Sequence, residues 1–176
     1  MMKSTSLVAL AAATILTCTV VASAQTAANG PGTLFAPGAL RPTGGDSNLA
    51  CRAARRYVEL TDSGQYDKVG TLFADDAIYF GPNEEAMQGA AKIGAFYTIF
   101  LSHAKPHVQM ASLVPAGPHD CFIELQGMTA NFLQKTPGAI DRFTTDKSGK
   151  VTRLYIYFRP DTVRALGPAA APALGK

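Results

Sequence analysis

The residue best placed for chemistry is Asp141. It stands in Ile140-Asp141-Arg142-Phe143, where the two-residue period of a strand puts it on one face with Phe143. If Phe143 faces a core, Asp141 faces it too, and desolvation would raise its pKa until the neutral carboxyl donates a hydrogen bond. The other reading is a solvated strand edge paired with Arg142. Tyr57 shares a helical face with Ala50, Ala53, Ala54, Val58 and Leu60, so its hydroxyl enters apolar surroundings and meets either a buried carbonyl or a ligand. Glu124, in Phe122-Ile123-Glu124-Leu125-Gln126, is a candidate proton acceptor. Either it looks inward with Phe122 and Gln126, or Cys121, Ile123 and Leu125 do.

The remaining titratable groups offer less. Asp75 and Asp76 follow a short helical segment and read as a turn, and Glu84 and Glu85 read as solvated loop acids. His103 and His107 have helical i, i+4 spacing, but Pro106 breaks the helix between them, so they make no metal pair. His119 follows Gly117-Pro118 and reads as exposed. The sequence predicts no metal and no cofactor.

These residues sit in a chain of 176 with net charge +3 and 47% hydrophobic residues. That is enough for one cored domain, and it lacks the charge of a nucleic-acid binder. Met1-Met2-Lys3, an apolar run from Leu7 to Val21 and Ala22-Ser23-Ala24 read as a signal peptide over 1–24. The run is too short to span a membrane. The expectation is therefore export to the periplasm or beyond, with a mature chain starting at Gln25. Residues 25–46 read as a flexible Gly/Pro/Ala linker, 47–160 as the folded domain and 161–176 as a disordered Pro/Ala tail. Cys51 and Cys121 remain after cleavage, either as a disulfide or as two separate thiols.

Within the domain, Asp46-Ser47-Asn48 caps a helix ending at Gly64, and a short helix follows from Tyr66 to Phe73. Ala77–Phe80 reads as a strand, Asn83–Gln88 as a loop and Gly89–Ser102 as a third helix. Strands then run over His107–Val114, Cys121–Leu133, Ala139–Thr145 and Val151–Phe158, with Lys147-Ser148-Gly149 as a hairpin turn. The class is α+β: three N-terminal helices packed on a curved, mostly antiparallel sheet.

Ala54-Arg55-Arg56-Tyr57-Val58-Glu59-Leu60, Leu72-Phe73-Ala74-Asp75-Asp76-Ala77, Gly89 with Ile93 and Phe96-Tyr97, and the final Tyr155-Ile156-Tyr157-Phe158 carry a likeness. Together they resemble the ketosteroid isomerase and SnoaL-like group of the nuclear-transport-factor-like superfamily. The resemblance implies a cone fold. It puts the two acidic donors that stabilise an enolate oxygen on Tyr57 and Asp141. The handling of a carboxylic acid kept neutral by its apolar site is well known for that enzyme. The base of the isomerases falls on Gly81, which cannot move a proton.

Two functions follow as expectations. One is proton-transfer chemistry of isomerase, dehydratase or lyase type on a small hydrophobic molecule, with Tyr57 and Asp141 as donors and Glu124 as substitute base. The other is binding without chemistry, in a cavity lined by Phe80, Met87, Phe96, Tyr97, Phe100, Ile156 and Phe158. A homodimer through Tyr155, Tyr157 and Arg159 is compatible with both.

Overall fold

The computed structural model describes residues 45–82, 86–128 and 138–175. The signal peptide, nearly all of the linker, Glu84, Glu85 and the stretch after Met128 lie outside the described residues. Helix α1, Leu49–Asp62, is capped by the Asn48 side chain, which accepts from the Cys51 amide at 2.9 Å. The Asn48 amide nitrogen donates to the carbonyls of Gly117 (2.7 Å) and Asp120 (3.2 Å). One side chain thus starts the helix and ties it to the hairpin opposite. Cys51 and Cys121 form a disulfide at the same junction, with Cα atoms 5.1 Å apart.

A short 3-10 helix, Tyr66–Leu72, leads into β1, Phe73–Phe80. Strand β2, Ala86–Gln88, precedes α2, Ala90–Ala104. Strands β3 (His107–Pro115), β4 (Asp120–Met128), β5 (Ala139–Thr145) and β6 (Val151–Phe158) complete the sheet. Its order is β2-β1-β6-β5-β4-β3, parallel only between β1 and β6. The 3-10 helix crosses α2 where Gly70 meets Gly94; a Cβ on Gly70 would lie 2.8 Å from the Gly94 Cα. Neither position admits a side chain without separating the two elements. In the β5–β6 turn, Asp146 accepts from the amides of Ser148 and Lys150.

Helices α1 and α2 pack on one face of the sheet. Ala50, Ala53 and Ala54 let α1 approach closely, and Tyr57, Leu60, Ile93, Tyr97, Ile123, Phe143 and Leu154 fill the interior.

Three expectations need correction here. The segment from Pro160 to Leu174 is helical: α3 spans Pro160–Ala170, followed by a 3-10 turn over Ala171–Leu174. Pro160 stands at the first helical turn, Asp161 accepts from the Thr162 amide, and Leu166 and Ala170 pack against the core. Asp75 and Asp76 lie exposed within β1, which begins four residues before the predicted start. Ala86–Gln88, read as loop, is an edge strand paired to β1.

Candidate functional site

Between the helices and the sheet lies a cavity of about 70 Å³, lined by residues of α1, α2, α3, β1, β3, β4, β5 and β6. Tyr57 enters from α1, Tyr97 from α2, Tyr79 from β1 and Asp141 from β5. Tyr97 is the hub of the aromatic wall: its ring centroid is 5.6 Å from that of Tyr57 and 5.7 Å from that of Tyr79, both edge-on. Tyr57 also lies 5.4 Å from Phe143, Asp141's neighbour on the inner face of β5.

Asp141 is 1% exposed, and neither carboxyl oxygen has a hydrogen-bond partner. Burial alone pushes its pKa from 3.8 to about 8. At neutral pH it is therefore a neutral acid with a proton to donate. Burial, and then the Asp141 charge, holds the Tyr57 hydroxyl well above the ordinary phenol range; the Tyr97 hydroxyl acts in the opposite sense. Burial raises Tyr79 and Tyr97 as well, so all three phenols keep their protons. The Thr61 hydroxyl, like Asp141, meets no partner in hydrogen-bonding geometry. Unpartnered polar atoms clustered in an apolar cavity are rare in native proteins, because each costs about 1–3 kcal/mol.

A second cavity, about 210 Å³, adjoins the first and shares Tyr79, Phe100, Phe158 and Leu166 with it. Of the lining residues read from the sequence, Tyr97, Phe100, Ile156 and Phe158 border the inner cavity. Met87 and Phe96 border the outer one, with Phe100 and Phe158 common to both.

Two candidates fall elsewhere. Glu124 lies on the outer face of β4, because Cys121, Ile123 and Leu125 take the buried positions. It is opposite Ile140 of β5, itself 47% exposed, and is no base for this site. Phe80 also faces out, its ring stacked on Tyr155 at 4.4 Å. The inward residue of that strand end is Tyr79, missed in the sequence, and with it Thr162 and Leu166 of α3.

Tyr79 also explains what fills the space above Gly81. A Cβ on Gly81 would lie 3.1 Å from the Tyr79 ring and 3.3 Å from its hydroxyl. The space that a side chain at position 81 would enter is taken by the Tyr79 phenol. Among the described residues lining either cavity, Asp141 is the sole carboxyl group and no histidine is present.

No protein-family profile matches the chain. No curated protein sequence matches it significantly. Solved structures do match. A steroid delta-isomerase from Pseudomonas aeruginosa superposes with a TM-score of 0.60 at 15% identity, covering 72% of this chain and 92% of that one. A Mycobacterium tuberculosis protein in complex with estradiol-17beta-hemisuccinate gives 0.55 at 16% identity, over 65% and 97% of the two chains. The epoxide hydrolase/cyclase-like enzyme SalBIII, described in pyran ring formation in polyether salinomycin, gives 0.54 at 16%, over 63% and 91%. The chain shares its α+β cone fold with these structures, the steroid delta-isomerase and the cyclase-like enzyme among them.

Proposed function

We propose that this chain is an exported protein that binds a small apolar molecule by its oxygen atom, with Tyr57 and Asp141 donating to that oxygen. The observation that carries this reading is the group of unpartnered polar atoms, both Asp141 oxygens foremost, facing an otherwise apolar cavity. Preorganised donors in a dry site favour an oxyanion over a neutral oxygen. A nitrophenolate therefore suits the test. Tyr57→Phe should weaken 4-nitrophenolate binding about 10- to 100-fold, the worth of one hydrogen bond to a charged oxygen. Wild-type affinity should fall as pH rises through about 8, where Asp141 loses its proton, and Asp141→Asn should abolish that fall. Calorimetric titration from pH 6 to 9.5 reads both effects. Equal affinity in all three proteins at every pH would sink the reading.

Proton-transfer chemistry of isomerase, dehydratase or lyase type is the second reading. It is favoured by an Asp141 pKa of about 8, close to where a general acid works best. Ketosteroid isomerisation is not expected, since Gly81 supplies no base. Gly81→Asp alone should not restore it, because Tyr79 occupies the space. Gly81→Asp combined with Tyr79→Val should raise isomerisation by roughly 10²-fold or more over either single variant. Robust turnover of a β,γ-unsaturated ketosteroid by the wild type would overturn this expectation.

Export rests on the pattern of residues 1–24, and the Cys51–Cys121 disulfide suits an oxidising compartment. Dimerisation rests on the outer sheet face, where Tyr157, Ile140 and Val114 are 56%, 47% and 55% exposed. Tyr155 stacks between Phe80 and Tyr157 on that face. Sedimentation at the mass of a single chain across micromolar concentrations would exclude the dimer. Among the described residues, no helix is long and apolar enough to cross a membrane.

A further inference from the structure

The two cavities divide one space. Tyr79, Phe100, Phe158 and Leu166 belong to the walls of both, and the donors Tyr57 and Asp141 belong to the inner one alone. Their sizes differ in a way that constrains a ligand. An engineered cavity of roughly 150 Å³ accepts one benzene ring. The inner chamber, about 70 Å³, is half of that and holds little beyond an oxygen and the carbon that bears it. The outer chamber, about 210 Å³, holds one ring with room for part of a second. Even taken together they fall short of the roughly 300–1,000 Å³ of sites for drug-sized ligands.

Two features impose this limit. The Tyr79 ring leans over Gly81 and narrows the space between the chambers from the sheet side. The C-terminal segment closes the far side: Leu166, Ala170 and Leu174 wall the outer chamber, and α3 packs on α2 above it. The far wall is apolar, so it offers contact area to a ring system.

We propose that Tyr79 and the C-terminal helix set ligand length, restricting the site to one- or two-ring apolar molecules with a single oxygen at one end and excluding four-ring steroids. The oxygen enters the inner chamber and the ring system fills the outer one. This inference rests on the Tyr57–Asp141 reading above, and the test separates the two.

The probes are three phenols of increasing length: phenol, 2-naphthol and 17β-estradiol, titrated by calorimetry or competition at pH 7. Wild-type affinity should rise about tenfold or more from phenol to 2-naphthol, since a second ring buries several more carbons. It should fall by at least about tenfold from 2-naphthol to estradiol, which exceeds the space. Ala170→Phe takes space from the far end of the outer chamber and should cost 2-naphthol about tenfold more than it costs phenol, whose single ring leaves that end unfilled. Leu174→Ala and Tyr79→Ala should each narrow the gap between estradiol and 2-naphthol; both are enlargements, so an Ala170→Phe chain that failed to fold would leave the proposal testable. Estradiol binding as tightly as 2-naphthol in the wild type would overturn the length limit. So would an Ala170→Phe variant that loses phenol and 2-naphthol equally, or a gap that neither enlargement narrows. Phenol binding indifferent to Tyr57→Phe would instead remove the donor reading, whatever the size ranking.

Discussion

Asp141→Asn is expected to make the folded protein more stable at neutral pH, by up to about 4 kcal/mol, and to change how stability depends on pH. The carboxyl ionises near 3.8 when the chain is unfolded and near 8 when it is folded. Below the lower value both states carry the proton and the group contributes no pH dependence. Between the two values the unfolded chain has lost a proton that the folded chain keeps, which favours unfolding. Stability then falls by about 1.4 kcal/mol per pH unit and levels off above 8. Asparagine cannot ionise, so the variant lacks this decline. Other carboxylates act in the opposite sense: hydrogen bonds from Ser148 lower the Asp146 pKa, and Arg159 lowers that of Asp161. The readout is therefore the difference between the two proteins in urea denaturation at a series of pH values. It should be small near pH 4 and widen up to pH 8. A constant difference, or a variant less stable at pH 8, would mean that Asp141 is ionised and partnered when folded. A residue that destabilises its own fold at working pH is understandable where a ligand contributes the missing hydrogen bonds.

Most elements were legible in the sequence because each carries its own punctuation. Asn48 caps α1, the Gly89 φ of 99° sets the entry to α2, and Asp146 with Gly149 makes the β5–β6 turn. The facing of two side chains was harder, though the information was present. Gly81, where the resemblance puts the isomerases' base, borders the outer cavity, so the two-residue period puts Tyr79 on that face and Phe80 on the other. Glu124 depended on a long-range fact: once Cys121 reaches Cys51 of the helix above, Ile123 and Leu125 follow it inward and Glu124 must point out. Spacing within β4 is silent on this, since both of its faces contain apolar residues.

The C-terminal helix was misread for a different reason. Its Gly, Pro and Ala content is that of a tether, and Pro168 lies inside it. Composition averages over the segment, whereas Pro160 at the helix start and Asp161 in the first turn are positional signals. The packing that holds it, Leu166 and Ala170 against the core, is tertiary and has no local signature. Part of the wall of the candidate site therefore came from a segment that the sequence assigned to no site at all.

Removing the disulfide is expected to be the most damaging change outside the cavity. Cys51 and Cys121 are separated by 70 residues, and opening a loop of that length in a small domain costs about 2–5 kcal/mol. Cys51→Ala with Cys121→Ala should lower the urea midpoint accordingly, and reduction of the wild type should do the same. The effect should also reach the ligand. Cys51 lies six residues before Tyr57 on one helix. Cys121 is paired with Phe143 and Ile123 with Asp141 across β4 and β5. The bond thus fixes the helix carrying one donor to the strand beside the other donor. Losing it should weaken 4-nitrophenolate binding more than it weakens binding of a neutral aromatic such as naphthalene, because only the anion requires both donors to converge. Equal loss for both ligands would assign the bond to global stability alone. An unchanged midpoint and unchanged affinity under reduction would remove its part in the site, and with it the structural support for an oxidising destination.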